Sequence, residues 1–595
     1  MGILLLAPRI LFAGTLAYPN AISIENAKPG TTAWQITLTA FTDRRCPANN
    51  SCSGSAAGEP AIEGYAYPAS VAHGDTIDFH VSTDEPSYTL AIYRMGWYGG
   101  AGGREIMAPL QLPGVRQTIP QPDPTGFVEC DWQDPFTVAI PSSWVSGVYL
   151  AKLTADSSGR QSYIPFVVRN DVQPADFLVQ CSVTTWQAYN CWGGKSLYGF
   201  NSTSCAPATR VSFLRPYSNT DGAGEFFYFE INLVRFLERE EYDVQYCTSL
   251  DVHERSDLLP RYTGFISSGH DEYWSAPMRS HVEAARDGGV NLAFLTANAC
   301  YWQIRLEAGT LAESGISTMV CYKDAALSAD PLALDVDPSN DSLVTARWRQ
   351  PPVAKPESRL IGIMFDDRFI VAPPSPLDLV VSNPTHWIYE GTGVVAGTVL
   401  PGLLGNEMDR VYPSAAPPWI EILGQSPVLP ATFAEPNSHM TIYRVTGTRI
   451  MVFAAGTLQW NWGLDDYRGF FQQTPRVSEV VRQMTRNLLF RFIDWSENAL
   501  DVSPSGPEPD DAGRAWPVPF TPGHGSLRVA FGSSGDLPDQ AHIYDLAGRP
   551  VARVALSRDR REVVWDGRDD RGLAVTPGIY WVTAGRHRVR VIATR

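Results

Sequence analysis

Long apolar runs are missing from this sequence. Apart from an opening segment interrupted by Pro8 and Arg9, no stretch approaches the ~20 apolar residues that cross a bilayer as a helix, so a transmembrane segment is not expected. Positive charge is also scarce. The 47 Lys and Arg against 63 Asp and Glu leave a formal net charge of −16, which repels a phosphate backbone and excludes nucleic acid as an expected partner. No repeat of fixed period is present, which excludes a solenoid or propeller. Gly193 and Gly194 suit a tight loop, but no phosphate-cradling pattern follows them. Charged residues make up only 18% of the chain, whereas there are 17 Trp, 24 Tyr and 25 Phe. That balance excludes a disordered protein and implies much buried aromatic surface.

At 595 residues the chain exceeds one core, and its patterning predicts a multidomain α/β plus all-β protein. Residues 1–20, "MGILLLAPRILFAGTLAYPN", read as a degenerate or mis-started secretion signal without a basic leader. Residues 21–172 carry short alternating runs such as "TIDFHVST" and "VYLAKLT" between Gly, Pro and Asp turns, the pattern of an antiparallel β-sandwich. From 173 to 498 strands alternate with helices, as in "GEFFYFEINLVRFLEREEYDV", which predicts an α/β domain with a mainly parallel sheet. Residues 499–525 are a Pro, Gly and Asp-rich linker, and 526–595 form a small all-β module with turns at "DLAGRP" and "DGRDDRG". Nine cysteines leave at least one unpaired; Cys46 with Cys52, and Cys191 with Cys205, are candidate disulfides. These features predict a secreted, periplasmic or cell-surface protein.

The stretch "GFISSGHDEYWSAPMRSHVEAARDGGVNLAFLTANACYW" holds the candidate site. Tyr262 to Ser267 and Asn291 to Thr296 are apolar enough for buried strands. Between them Ser275 can cap a helix that admits Pro277 in its first turn and ends at Gly288 and Gly289. A strand, a helix and a strand place the two strands parallel, with "HDEYW" and "ANACYW" at their carboxyl ends, where open α/β sheets bind ligands. If the chain stays extended there, His270 and Glu272 point one way and Asp271 the other. Cys300 invites comparison with the nucleophile of glutamine amidotransferases, which the α/β pattern resembles. Its bulky, glycine-free neighbours do not suit a nucleophile elbow, and thiol catalysis is not expected.

Seven blocks in order, "TTWQAYNCWGGKSLYGFNS", "VSFLRPYS", "SSGHDEYWS", "LTANACYWQIRLE", "CYKD", "GLLGNEMDR" and "AAGTLQWNWGLD", resemble the large (β) subunit of N,N-dimethylformamidase and the domain family built around its carboxy-terminal half. The resemblance runs from about Ala175 to Phe490. The C-terminal module resembles the immunoglobulin-like module of flagellar hook-capping proteins. The first resemblance implies hydrolysis of a small amide with one iron, Fe(III), held by two tyrosines and a glutamate. Carried over, Glu272 is the carboxylate ligand, and Tyr189 and Tyr217 are the phenol ligands, with Tyr198 and Tyr228 as competitors. His270, Asn298, Lys323 and Glu407 fall at catalytic positions, and His253 and His386 at pocket positions. A small partner subunit, absent from this chain, and a homo-oligomer or surface assembly are both open.

The donor chemistry agrees with this reading, because phenolate and carboxylate are hard anionic donors that suit a highly charged hard cation. Each residue taken singly also has a plain structural reading. Buried tyrosines are common in cores, Lys323 could pair with Asp324 and Glu407 with Arg410, and Asn298 could close a turn. Two functions follow: a metal-dependent amidohydrolase, or a non-catalytic surface protein that retains the α/β shell between adhesive sandwiches.

Overall fold

The computed structural model describes residues 20–40, 60–309, 311, 315–371, 375–468 and 475–496 and, towards the C-terminus, 514–516, 522, 526–531, 538–545, 550–557, 562–576, 578–584 and 587–593. The signal-like segment before Asn20, the Cys46–Cys52 loop and most of the linker lie outside the described residues. The fold is β-rich, with several sheets and a smaller share of helix. It divides into two compact units, Glu25–Arg239 with Asp243–Leu500, and Met1–Ile24 and Glu240–Tyr242 with Asp501–Arg595. The described parts of residues 25–172 and the α/β part lie in the first of these units.

In that unit an antiparallel three-stranded sheet (Ile62–Tyr67, Thr76–Thr83, Phe136–Ala139) shares a core with a five-stranded sheet (Ser70–Ala72, Ser87–Met95, Gly103–Pro113, Gly147–Ala155, Gln161–Arg169). Alternation along "TIDFHVST" buries Ile77, Phe79 and Val81 while Thr76 stays exposed, the period-2 signature of a half-buried strand. Phe79 meets Phe166 of the other sheet edge-on at 5.4 Å, and Phe79→Ala should cost about 3–5 kcal/mol through the cavity left behind. From the same sandwich Arg94 donates to both oxygens of Glu238, at 2.7 and 2.9 Å, with both side chains fully buried. This pair fastens the sandwich to the α/β part.

The α/β part is built on seven strands: β1 (Phe177–Cys181), β2 (Val244–Thr248), β3 (Gly264–Ser268), β4 (Asn291–Leu295), β5 (Glu421–Pro427), β6 (Asn437–Arg444) and β7 (Met451–Ala454). Their order is β2-β1-β3-β4-β7-β6-β5. The first five run parallel, and β6 and β5 complete the sheet antiparallel. Helix α1 (Val183–Tyr189) follows β1, α2 (Ile231–Arg239) precedes β2, and α3 (Ala276–Asp287) joins β3 to β4. Ser275 Oγ caps α3 by accepting from the Met278 N–H at 3.3 Å, Pro277 sits in the first turn and Gly288 ends it. Met278, Val282 and Ala285, spaced to share one helix face, pack with Phe265 of β3 and Leu292 of β4 in one core. The sequence stretch "GEFFYFE" forms a π-helical turn, Phe226–Glu230, before α2 begins.

The second unit holds seven antiparallel strands (Arg514–Trp516, Leu527–Ala530, Gln540–Asp545, Pro550–Ser557, Glu562–Trp565, Gly578–Ala584, His587–Ala593). Leu527, Val529, Ile543, Val563, Trp565, Val582 and Val591 form its core. None of the described helices is long and apolar enough to cross a membrane. Cys130, Cys181, Cys247, Cys300 and Cys321 are buried free thiols, and Cys191 and Cys205 are not among the free ones.

Candidate active site

The carboxyl ends of three adjacent parallel strands meet at one place. After β3 the chain turns at Gly269, whose φ is +72° and whose Cα lies so close to Glu230 that a Cβ would sit 2.9 Å from its carboxyl carbon; only glycine fits there. His270, Asp271 and Glu272 follow and alternate in direction. Asp271 turns inward, accepting from Ser267 Oγ at 2.7 Å and Gln180 Nε2 at 2.8 Å, and burial pushes its pKa up to about 6. His270 and Glu272 face the other way, the Glu272 N–H donating to Thr185 Oγ1 at 3.0 Å. Beyond β4, Asn298 takes a left-handed φ of +50°. Its N–H donates to Asp409 Oδ1 at 2.8 Å, and its Nδ2 to Glu407 Oε2 at 3.0 Å. Glu407 lies on Asn406–Arg410, a strand paired antiparallel with Met364–Val371.

Around Glu272 three phenols gather. Tyr189, the last residue of α1, donates to Glu272 Oε2 at 2.7 Å. Tyr198 lies 2.9 and 3.1 Å from the two Glu272 oxygens and 2.8 Å from the Tyr189 hydroxyl. Tyr273 reaches the Tyr198 hydroxyl at 2.7 Å. The rings of Tyr189 and Tyr198 stack at 4.4 Å. The irregular loop carrying them is held by buried Arg215, which donates to the Asn190, Trp192 and Lys195 carbonyls at 2.9–3.0 Å and to Gln187 Oε1 at 3.0 Å.

His270 is the hub of charge. Its Nε2 lies 3.0 Å from Glu407 Oε2 and 3.3 Å from Glu272 Oε2, and its Nδ1 lies 3.6 Å from Glu225 Oε2. These are ion pairs rather than aligned hydrogen bonds, since Nε2 has no hydrogen-bond partner among the described residues. Burial opposes charge on the ring, but Glu407, Glu225 and Glu272 outweigh it and hold the His270 pKa well above the usual 6.5. Burial likewise opposes charge on Glu272, yet His270, Lys323 and the Tyr189 hydroxyl hold its pKa low. Burial and then the Glu272 charge push both the Tyr189 and Tyr198 phenols well above 10, so both are neutral donors here. Lys323 presses its ammonium 3.0 Å from the centre of the Tyr198 ring and donates to the Leu197 carbonyl at 3.1 Å. Burial brings its pKa down to about 8.

The structure therefore brings together Tyr189, His270, Glu272, Asn298, Lys323 and Glu407. It does not bring Tyr217. That ring packs edge-on against Trp186 at 5.9 Å and makes no hydrogen bond to Glu272 among the described residues; Tyr198 occupies the place expected for it. In "LRPY" the residue that serves the site is Arg215, two positions before that tyrosine. Tyr228 stacks edge-on with Phe229. His253 bonds Ser275 Oγ at 2.7 Å, and His386 accepts the Ile388 N–H at 3.2 Å; neither contacts the phenol cluster. The bland pairings are not adopted either, since Asp324 pairs with Arg347, and Arg410 with Asp366 and Glu435. Cys300 is fully buried and burial raises its thiol pKa well above 9, the reverse of an activated thiol. Tyr273 and Glu225 were not singled out by the sequence, although Tyr273 stands within "HDEYW". Among the described residues no group of three or more His, Cys, Asp or Glu is set out to hold a metal ion; phenols are a different donor type.

This arrangement of tyrosines, glutamate and histidine lies inside a segment, residues 89–474, that matches the family model described as N,N-dimethylformamidase beta subunit-like, C-terminal. The chain belongs to that family. The match covers well over half of it and starts at residue 89, within the β-sandwich, so the family's domain takes in sandwich strands as well as the α/β part. No curated protein matches the chain. Among solved structures, an AA10 lytic polysaccharide monooxygenase from Streptomyces lividans is 16% identical over 26% of this chain and 88% of its own, with a TM-score of 0.13. A beta-glucuronidase from Parabacteroides merdae is 8% identical over 87% of this chain and 63% of its own, with a TM-score of 0.17. At such scores neither bears on fold or function. Membership of the dimethylformamidase-like family suggests a hydrolase acting on amides.

Proposed function

We propose that this protein hydrolyses a small amide C–N bond at the cluster of Tyr189, Tyr198 and Glu272, with those three side chains holding a ferric ion. The observation that carries the reading is the convergence of two phenol oxygens and one carboxylate within 2.7–3.1 Å of one another. The donor set fits such an ion. All three are hard oxygen donors, and burial beside a carboxylate keeps both phenols protonated unless a strongly polarising cation replaces their protons. When bound, the ion supplies Lewis-acid polarisation of a carbonyl and acidifies water.

The chain's own groups divide the proton work. Glu407, with 15% of its side chain exposed against 3% for Glu272, is the more accessible carboxylate and takes a proton from the attacking water. His270, kept protonated between carboxylates, hands a proton to the leaving nitrogen. The proton that Glu407 gained then passes to His270 Nε2, 3.0 Å away, which restores both groups while amide plus water becomes carboxylic acid plus amine. Asn298 fixes Glu407 through Nδ2, and its Oδ1, buried and without a hydrogen-bond partner among the described residues, faces no competing donor. Lys323 favours the Tyr198 phenolate from the ring face rather than reaching an oxyanion.

The test is to load purified protein with iron, record the visible phenolate charge-transfer band, and measure amine release from N,N-dimethylformamide and other small formamides and acetamides. Glu272→Ala should lose the metal and the colour. Iron binding unchanged in Glu272→Ala, or an iron-loaded protein inert on the whole amide panel, overturns the proposal.

A further inference from the structure

Glu225 has no part in the proton transfers given above, yet it is buried to 5% exposure at the start of the π-helical turn Phe226–Glu230. Its Oε2 is enclosed and has no hydrogen-bond partner among the described residues. A buried carboxylate without a partner is costly, so its surroundings should contain the compensating charge. Among the described residues the basic nitrogen within 4 Å of it is His270 Nδ1, at 3.6 Å. The opposite nitrogen of the same ring faces Glu407 and Glu272 at 3.0 and 3.3 Å. Tyr189 and Phe229 border the ring, with centroids at 5.1 and 6.2 Å.

We propose that Glu225 is a positioning residue, which anchors His270 by its Nδ1 edge so that Nε2 is delivered to Glu407 and Glu272. Without that anchor, both charged attractions on the imidazole come from its Nε2 side, which leaves the packing of Tyr189 and Phe229 to resist tilting of the ring out of line. A carboxylate behind a working histidine sets which nitrogen carries the outward proton and in what direction. Among the described residues no hydrogen bond or ion pair joins Glu225 to the phenols or to Glu272, so its effect on the reaction runs through His270. The π-helical turn is what makes the reach: the wide turn that begins at Glu225 also sets Phe229 at the ring and Glu230 against Gly269.

This inference rests on the amidase reading for its kinetic arm and is independent of it for its structural arm. Kinetics would compare the wild type with Glu225→Leu and Glu225→Gln. Glu225→Leu should lower kcat about 10- to 100-fold with KM and iron content unchanged. Glu225→Gln, whose amide oxygen keeps a dipole of the same sense and reach facing Nδ1, should restore kcat to within about fivefold of wild type. Crystals of the metal-free proteins give the second readout. His270 Nε2 should stay within hydrogen-bond reach of Glu407 in the wild type and Glu225→Gln, and leave it in Glu225→Leu. If Glu225→Leu does not fold, Glu225→Asp carries the test: one methylene shorter, it should lower kcat more than Glu225→Gln does. A wild type inert on amides sinks the proposed function alone, because the crystals still report the ring. A His270 ring unmoved in metal-free Glu225→Leu, or kcat within twofold of wild type, overturns the role of Glu225; so does Glu225→Asp matching or exceeding Glu225→Gln.

Discussion

Replacing Tyr198 with Phe removes one oxygen and leaves the ring, which still stacks on Tyr189 at 4.4 Å and still receives Lys323 on its face. The lost hydroxyl sits among four oxygens: Tyr189 at 2.8 Å, Glu272 at 2.9 and 3.1 Å, and Tyr273 at 2.7 Å. A hydrogen bond to a charged group is worth about 1.5–3 kcal/mol. Loss of the hydroxyl leaves buried Glu272 short of a donor, so the metal-free variant should lose about 1.5–3 kcal/mol of stability. The effect on iron should be larger. One of three anionic donors is gone together with a compensating charge, which predicts an affinity loss of at least ~100-fold and a weakened visible band. Urea denaturation of the metal-free protein and chelator competition for iron measure the two quantities separately. Tyr217→Phe is the control, with affinity within about twofold of wild type and an unchanged band, since that ring faces Trp186. Full affinity and colour in Tyr198→Phe, with loss of both in Tyr217→Phe, would refute the assignment.

Asn298→Ala should retain iron but lose about 10²- to 10³-fold in kcat, a split read by metal analysis and steady-state kinetics. Cys300→Ser should keep kcat within about twofold, because the thiol is fully enclosed and un-ionised; a large loss in a well-folded variant would reopen thiol catalysis. Arg215→Met strips four acceptors in the tyrosine loop of their donor and should cost about 3 kcal/mol or more while weakening iron binding without touching the ion, as followed by melting and iron titration. Stability should also fall in acid. His386 and His439 accept backbone N–H groups on Nδ1, and burial first, then a nearby arginine, brings each pKa down from 6.5 to about 4. The unfolded chain therefore takes up these protons at higher pH than the native one, so this stability is whole above pH 6.5, declines towards pH 4 and is flat below. Urea midpoints across that range check the sign, and a His386→Gln, His439→Gln double variant should flatten the slope.

The strand, helix and strand around "HDEYW" were legible because their signals are local. Ser275, Pro277 and Gly288 mark the ends of α3, two apolar runs mark β3 and β4, and simple alternation anticipates that Asp271 turns away from His270 and Glu272. The partner phenol was not legible in the same way. Tyr198 is carried by a loop of short 3-10 turns whose reversals depend on Gly193 and Gly194 at φ +76° and +82° and on a buried arginine 17 residues beyond it. None of that leaves a periodic trace, and "LRPY" drew attention to its tyrosine when its arginine was the structural agent. Burial of Glu225 escaped notice for a similar reason. In an amphipathic helix its position reads as a solvated end, whereas the π-turn widens the helix and rotates that end inward. The grouping of sandwich and α/β parts into one unit rests on contacts such as Arg94 with Glu238, 144 positions apart, and Trp192 with Glu63, pairings that no local pattern announces.

The members of the cluster come from separate stretches of chain, the end of α1, the loop after it, the ends of β3 and β4, and the strand Asn406–Arg410, so Tyr189 and Glu407 become neighbours only through the finished sheet. The unfolded polypeptide does not hold this arrangement, and a nascent chain that has not yet reached Glu407 lacks one member of it. Any molecule or ion that bridges these groups must then bind the folded form alone, and at a free concentration 100 times its Kd it adds about 2.7 kcal/mol to the free energy of unfolding. Occupancy of the site would act as a lock on maturation as well as a step in chemistry: the ligand binds once these separate stretches have come together, and it holds the fold behind it.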